Sequence, residues 1–430
     1  MNKTLALLLA LESLAAAAPL QTRPLTLQQA IELALQQNPD YLLARLDEQK
    51  AREGVREARS PFVPRIAVGS GLAYSSGFPL SIEGAAPSIV QAQGSQFLYN
   101  RPQRFKVREA GEMAAAAGHS TAAKADEIAF RVASTYLDFE RATRAVAAAA
   151  RQLDTLARIE GLVGERVQAG REIPLELTKA RVETARARAR LAQLQAGAEV
   201  LEETLRSDLG LDESARISPL ETSLPAQATL PADDNAAAGL ALASSREIKR
   251  LESLLEARRL QVQGEKAGAH PRVDLVAQYA LLGRFNNYED FFRAFERHNG
   301  QVGVSVQFPL FARGQIAPRV AQAETEAAQT KLRLAAARSG VGLAARRLFR
   351  EVRAADSARD LARLELDLAR ESLSVLLARL DEGRVSVAEV EQARLGEGVQ
   401  WEVFYDAQTA AGKARLALLR HTGGLLAALR

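Results

Sequence analysis

Apolar positions along this chain switch between two periods. Over most of its length they recur every three or four residues, the spacing of an amphipathic helix. In four short stretches they instead alternate with polar residues, which is the period of a strand with one apolar face. The first helical pattern is LTLQQAIELALQQNP from Leu25 to Pro39, with Thr26 as N-cap and Leu27, Ile31, Leu33 and Leu35 on its apolar side. A second runs from Tyr41 to Arg59. Alternation then takes over near 64–75, where Ile66, Val68, Leu72 and Tyr74 oppose Arg65, Ala67, Gly69, Gly71 and Ser75. The stretch 89–104, rich in Gln, Gly and Ser, is a weaker candidate for its partner.

A helical pattern without a proline follows from about Glu112 to Ala169, and at about 1.5 Å per residue it would be on the order of 85 Å long. Another runs from Leu175 to Leu209, closed by Gly210. Residues 212–234 carry three prolines with Ser, Thr and Asp, the composition of a connector. The second half keeps the order. A helix over 235–267 precedes strands near 271–283 and 299–310, the latter with Val302, Val304, Val306, Phe308 and Leu310 opposite Gln301, Gly303, Ser305 and Gln307. A long helix from Pro318 to Leu380 and a last one ending at Thr422, Gly423 and Gly424 complete the chain.

One segment occurs twice. ERVQAGREIPLELTKAR at 165–181 and ARLDEGRVSVAEVEQAR at 378–394 align without a gap, placing Gly170 on Gly383, Arg171 on Arg384, Glu176 on Glu389 and Arg181 on Arg394. Each copy lies between two long helical patterns. A glycine stops the first helix, and a β-branched or Pro-containing segment starts the next. The chain therefore reads as two repeats, about 25–211 and 235–424, each with a helical hairpin.

Composition narrows the class. Of 430 residues, 47% are hydrophobic but only 5% aromatic, as expected for long helices packed through small side chains. Fourteen of the 22 aromatic residues lie in 62–105 and 271–311, where girdles at a membrane interface would put them. The charge of +4 comes from 56 basic and 52 acidic residues dispersed along the chain, which excludes a concentrated nucleic-acid grip. Without cysteine there is neither disulfide nor thiolate chemistry. The histidines His119, His270, His298 and His421 lack ligand spacing, and GSG at Gly69 to Gly71 lies within a strand pattern, so no catalytic, cofactor or metal site is expected. Residues 1–18, with Lys3, an apolar run and then small residues, read as a secretory signal peptide.

Four strands of about ten residues cannot close a barrel alone, since single-chain bacterial barrels need about eight. Lipid does not tolerate open edges. If the strands span a membrane, several copies must pool them, and three would supply twelve. In the long second-half helix, Leu361, Leu364, Leu368 and Val375 form one stripe and Leu366, Leu373, Leu376 and Leu380 another, enough to pack on two sides.

The opening LTLQQAIELALQQNP, the prolines before strands, QFPLFARGQ at 307–315, the two bends and the closing LLRHTGGL resemble, in that order, the TolC-type outer membrane factor family over nearly the whole mature chain. The resemblance implies a mainly α protein with a β-barrel part: a homotrimer whose helical hairpins form a periplasmic α-barrel and whose strands form a twelve-stranded transmembrane β-barrel. It implies a passive exit duct for efflux or type I secretion, in the outer membrane of a Gram-negative bacterium and extending into the periplasm. Its partners would be a periplasmic adaptor, an inner-membrane transporter and outer membrane lipid, with residues 212–234 in an equatorial band. The bends become periplasmic tips. Glu389, Glu176, Arg384 and Glu391 are then gate candidates, while Gly170, Arg171, Ile173, Pro174, Gly383, Val385 and Ser386 shape the tip turn or dock the adaptor. Helix-dipole complementation by first-turn acids is the plainer alternative for Glu176 and Glu389.

Three departures stand out. Gln392 occupies a position often acidic in the family, QFLYNRPQ at 96–103 lacks the proline of its counterpart, and Val385 stands where a basic residue is usual. A cytoplasmic coiled-coil scaffold is the competing reading of the long helices, but it leaves the leader and the alternating segments unexplained.

Overall fold

A computed structural model describes residues 22–71, 88–212, 214–220, 230–282, 296, 298–310, 313–382, 384–385 and 387–429. The expected leader, the strand residues 72–75, Gly383 and Ser386 lie outside the described residues. In chain order the first half holds β1 (Thr22–Leu25), α1 (Leu27–Gln37), α2 (Pro39–Arg59), β2 (Arg65–Gly71), β3 (Ser88–Tyr99), α3 (Arg101–Gln168) and α4 (Pro174–Leu209). The second holds β4 (Arg216–Pro219), α5 (Asp234–Ser244), α6 (Arg246–Lys266), β5 (Arg272–Leu282), β6 (His298–Gln307), α7 (Arg313–Asp381), α8 (Val387–His421) and α9 (Leu425–Ala428). From α1 to the first strand the equivalent positions are 207 apart, as Gln37 to Ser244 and Arg59 to Lys266; beyond the hairpin they are 213 apart, as Gly210 to Gly423.

The chain divides into two compact units, one of residues 1–43, 123–245 and 340–430, the other of 44–122 and 246–339. In the first, the start of α1 is fixed by a capping box. Thr26 Oγ1 accepts from the Gln29 backbone N–H at 3.2 Å, and Gln29 Oε1 accepts from the Thr26 N–H at 3.0 Å. Asn38 then ends α1 and starts α2: its Oδ1 accepts from the Asp40 and Tyr41 N–H groups, and its Nδ2 donates to the Asp208 carbonyl at 2.8 Å. Around this junction Leu27, Ile31, Ile128, Val132, Tyr136, Leu205, Leu209 and Leu419 form the core. Each large aliphatic residue so buried contributes about 1.5–3 kcal/mol. Ala30, Ala34, Ala129 and Ala133 let the backbones approach.

Several sequence boundaries need correction. The helix expected over 235–267 is broken at Ser245, whose φ of −53° and ψ of 118° leave the helical region, so α5 and α6 repeat the α1–α2 break. Both described ends of the connector 212–234 take part in the fold. Residues of β4 pair in parallel with β1, from Thr22↔Arg216 to Leu25↔Pro219, and Asp233 caps α5 by accepting from the Ala236 N–H at 2.6 Å. The stretch 89–104 is strand only to Tyr99, since α3 starts at Arg101 with Pro102 in its first turn rather than near Glu112. Helix α7 likewise starts at Arg313, with Pro318 inside it.

The second unit contains a four-stranded antiparallel sheet in the order β2-β3-β5-β6. Its register sorts side chains into unlike rows. One row aligns Ile66, Gly94, Ala277 and Val302, and another Val68, Ala92, Tyr279 and Gly300. Between them lies Ala67, Gln93, Gln278 and Gln301. One face is thus mainly apolar and the other mainly polar across the four strands. The apolar face is uncovered, with Ile66 at 76% and Val302 at 78% exposure. Helices α6 and α7 of this unit are tied by Arg258–Glu326 at 2.9 Å, Lys266–Glu324 at 2.7 Å and Arg338–Glu252 at 2.7 Å.

Candidate functional site

The two bends share a closing hydrogen bond. At the end of α3 the Arg171 N–H donates to the Arg166 carbonyl at 2.8 Å and the Gly170 N–H to Val167 at 3.0 Å, with Gly170 at φ +70°. This is the Schellman closure, which needs a residue in the left-handed region and so favours glycine. At the matching positions of the second bend the Arg384 N–H donates to the Arg379 carbonyl at 2.9 Å. The helices' other ends repeat the device: Leu211 donates to Arg206 at 3.1 Å behind Gly210, and Gly424 to Leu419 at 2.9 Å behind Gly423.

Past the first turn, Pro174 occupies the first helical position of α4, where its missing N–H costs nothing. Ile173 is the N-cap residue and provides no side-chain cap. It and Leu175 are each 56% exposed, so the first bend offers an apolar surface. Glu176 lies in the first turn of α4 and Glu389 in that of α8, both favourably placed for the helix dipole. Glu176 pairs with Lys179 at 2.7 Å. The residue matching Lys179 is Gln392, so the second bend carries one fewer positive charge beside its acid. Arg384 pairs with Glu382 at 3.0 Å, and Glu391 with Arg394 at 3.3 Å. Each of these three pairs stays within its own bend, is partly exposed, and contributes roughly 0.3–0.5 kcal/mol. Arg171 and Glu389 are exposed, and Val385 is half-buried.

Above the bends, the helices of this unit are joined by a polar and aromatic cluster that the sequence reading missed. Arg370 stands 4.2 Å from the centroid of the Trp401 ring. Trp401 Nε1 donates to Glu397 at 3.3 Å, and the ring stacks on Tyr405 at 5.2 Å. Arg190 of α4 pairs with Glu402 of α8, and Arg141 of α3 with Asp406. A groove of about 410 Å³ between α3 and α8 is lined by Leu156, Ile159, Leu395 and Val399, with Arg394, Glu397 and Glu402 at its rim. That Trp401 is the only tryptophan of the chain was the one local signal for this cluster. Among the described residues no group of three or more His, Asp or Glu side chains is arranged to hold a metal ion. No described helix is long and apolar enough to cross a membrane.

Comparison with known proteins follows the same lines. The model of the outer membrane efflux protein family matches residues 30–211 and 237–428. No curated protein matches the sequence. The outer membrane protein VceC of Vibrio cholerae has a similar structure, with a TM-score of 0.73 over 93% of this chain and 96% of that one at 18% identity. The Campylobacter jejuni CmeC outer membrane channel gives 0.72 over 93% and 86% at 14% identity. The open state of the Neisseria gonorrhoeae MtrE outer membrane channel gives 0.72 over 93% and 89% at 18% identity. At these identities the structural likeness establishes the fold, and the family match, which takes in both repeats, sets the cytoplasmic scaffold aside. An uncovered apolar sheet face, paired helical bends and a match spanning both halves lead to one conclusion: the chain belongs to the outer membrane efflux protein family, channels of the outer membrane that extend into the periplasm.

Proposed function

We propose that three copies of the chain form the passive exit duct of a tripartite efflux or type I secretion system, joined at the bends to a periplasmic adaptor that carries an inner-membrane transporter. The observation that carries this reading is the sheet. It has an apolar face across four strands and ends at β2 and β6, whose outer edges have no neighbour among the described residues. Hydrocarbon does not tolerate such edges. Pairing β6 of one copy with β2 of the next closes twelve strands around three copies. The α7 helix agrees: Leu366 is buried within its own chain, while Leu361, Leu364 and Leu368 are more than half exposed and free to meet a neighbouring copy. Residues 1–18 act as the export signal, and 212–234 belong to an equatorial band.

In this assembly the bends lie at the periplasmic end, and Glu389, Glu176, Arg384 and Glu391 line the gate. The turn residues Gly170, Arg171, Ile173, Pro174, Gly383, Val385 and Ser386 set the tip's shape, and the exposed Ile173 at the first bend suits adaptor docking. Glu389 is repeated three times about one axis. Three carboxylates about 10 Å from a permeating cation attract it by roughly 1 kcal/mol, about fivefold in local concentration at low salt. Glu389→Ala in a planar bilayer therefore lowers cation selectivity by up to about fivefold, and raises single-channel conductance because the shorter side chain widens the constriction. Unchanged conductance and selectivity would remove Glu389 from the gate.

A further inference from the structure

Where β3 gives way to α3, a shallow groove of about 500 Å³ is lined by Arg59, Arg101, Arg104 and Arg108 together with Phe62 and Tyr99. No acidic side chain lines it. All four arginines are exposed, and among the described residues none has a carboxylate within ion-pair distance. One turn earlier on α2, by contrast, Arg56 is held by Glu53 at 2.9 Å. Arg104 instead lies over the Tyr99 ring at 5.4 Å, and Arg101 reaches His270 Nε2 at 2.7 Å.

Through Tyr99 the groove adjoins the apolar face of the sheet. Register runs Phe97↔Asp274 on the polar face, then shifts so that Tyr99 pairs with Val273, which in turn faces Val306. The irregularity brings Tyr99 into the apolar rows, at their periplasmic margin, where an amphipathic ring belongs. Arg104 stacks against that same ring.

The duplication supplies an internal control. With RPQ at 101–103 matched to RGQ at 313–315, Arg101 has a counterpart in Arg313, but Arg104 and Arg108 fall on Ile316 and Val320, and Arg59 on Lys266, which is ion-paired with Glu324 at 2.7 Å. The fold therefore does not require Arg59, Arg104 or Arg108.

The geometry points to a binding site for the headgroup of an anionic phospholipid in the periplasmic leaflet. The guanidinium forks take the phosphate diester oxygens bidentately, the acyl chains follow the exposed Ile66 and Val68 face, and the absence of carboxylates favours a net anion over a zwitterion. This rests on the outer-membrane placement and not on the gate.

The test is native mass spectrometry of the purified full-length channel after reconstitution in vesicles of equimolar phosphatidylglycerol and phosphatidylethanolamine. Wild type retains phosphatidylglycerol in preference. The combined Arg59→Gln, Arg104→Gln and Arg108→Gln variant loses it by at least about tenfold, whereas Lys266→Gln retains it. If the triple variant does not assemble, Arg104→Gln against Arg104→Lys is compared, and the glutamine variant loses more. Equal retention of the two lipids, or equal retention by wild type and variants, overturns the site. So does displacement of the lipid by an equal concentration of inorganic phosphate, which would make it a free-anion site. Conductance is recorded in the same bilayers: wild type that binds the lipid but does not conduct would count against the duct and leave the lipid site standing.

Discussion

Gly210→Ala lowers the midpoint of thermal dissociation of the purified channel far more than Gly170→Ala does. Both glycines lie in the left-handed region, at φ +67° and +70°, so each pays about 1–2 kcal/mol when a Cβ is added. At Gly170 that is the whole effect, because a Cβ there meets nothing within 4 Å. At Gly210 the new atom would stand 2.8 Å from the carbonyl oxygen of Gln37 and 3.0 Å from its carbon. These are backbone atoms at the end of α1, and they can yield only by moving the Asn38 junction. Overpacking of this kind adds about 1–3 kcal/mol. Gly423→Ala, facing Ser244 Cβ at 2.7 Å, falls on the same side of the comparison. Equal shifts for Gly170→Ala and Gly210→Ala would show that the α4 terminus is not pressed against α1.

The largest loss from a single core substitution is expected at Tyr136. Its side chain is fully buried, and its hydroxyl lies 2.7 Å from the Leu25 carbonyl and 2.8 Å from that of Leu220. One phenolic hydrogen can serve only one of two carbonyls at a time, so the ring anchors the ends of β1 and β4 while its body fills the core. Tyr136→Phe removes the donor and costs about 1–3 kcal/mol. Tyr136→Ala also opens a cavity among Leu27, Ile31, Val132 and Leu205 and costs about 3–5 kcal/mol. Channel recovered from outer membranes should be near wild type for the phenylalanine variant and sharply reduced for the alanine variant. Equal recovery would remove Tyr136 from the anchoring role.

Both predictions concern features that local sequence patterns reveal unevenly. The Gly170 turn was legible because a helix stop needs a residue tolerant of positive φ and a glycine at helical spacing is conspicuous. The capping box was legible in Thr26 and Gln29 for the same local reason. The pairing of β1 with β4 was not. Two four-residue strands containing prolines, nearly two hundred residues apart, carry no periodicity of their own. The break at Ser245 was hidden because the first copy marks it with Asn38 and Pro39, whereas the second has only Ser245 and Arg246. Pro102 was a usable start signal for α3, masked by the polar strand before it.

The site was legible to a similar degree. Spacing aligned Glu176 with Glu389 and showed Gln392 in the place of Lys179, whereas the pairing of Lys179 with Glu176 needed the structure. The unpaired arginines near Tyr99 could be recognised only once the register showed which face Tyr99 joins.

In the assembled duct, β2 and β6 of different copies meet. The chain has no cysteine, so an introduced pair reports this cleanly. Ile66→Cys is combined in turn with Val302→Cys, Val304→Cys and Val306→Cys, and outer membranes are oxidised and run on a denaturing gel. At least one pairing is expected to give covalent dimers and trimers and nothing larger. Monomers alone across all three pairings, or a ladder continuing beyond three, would contradict it.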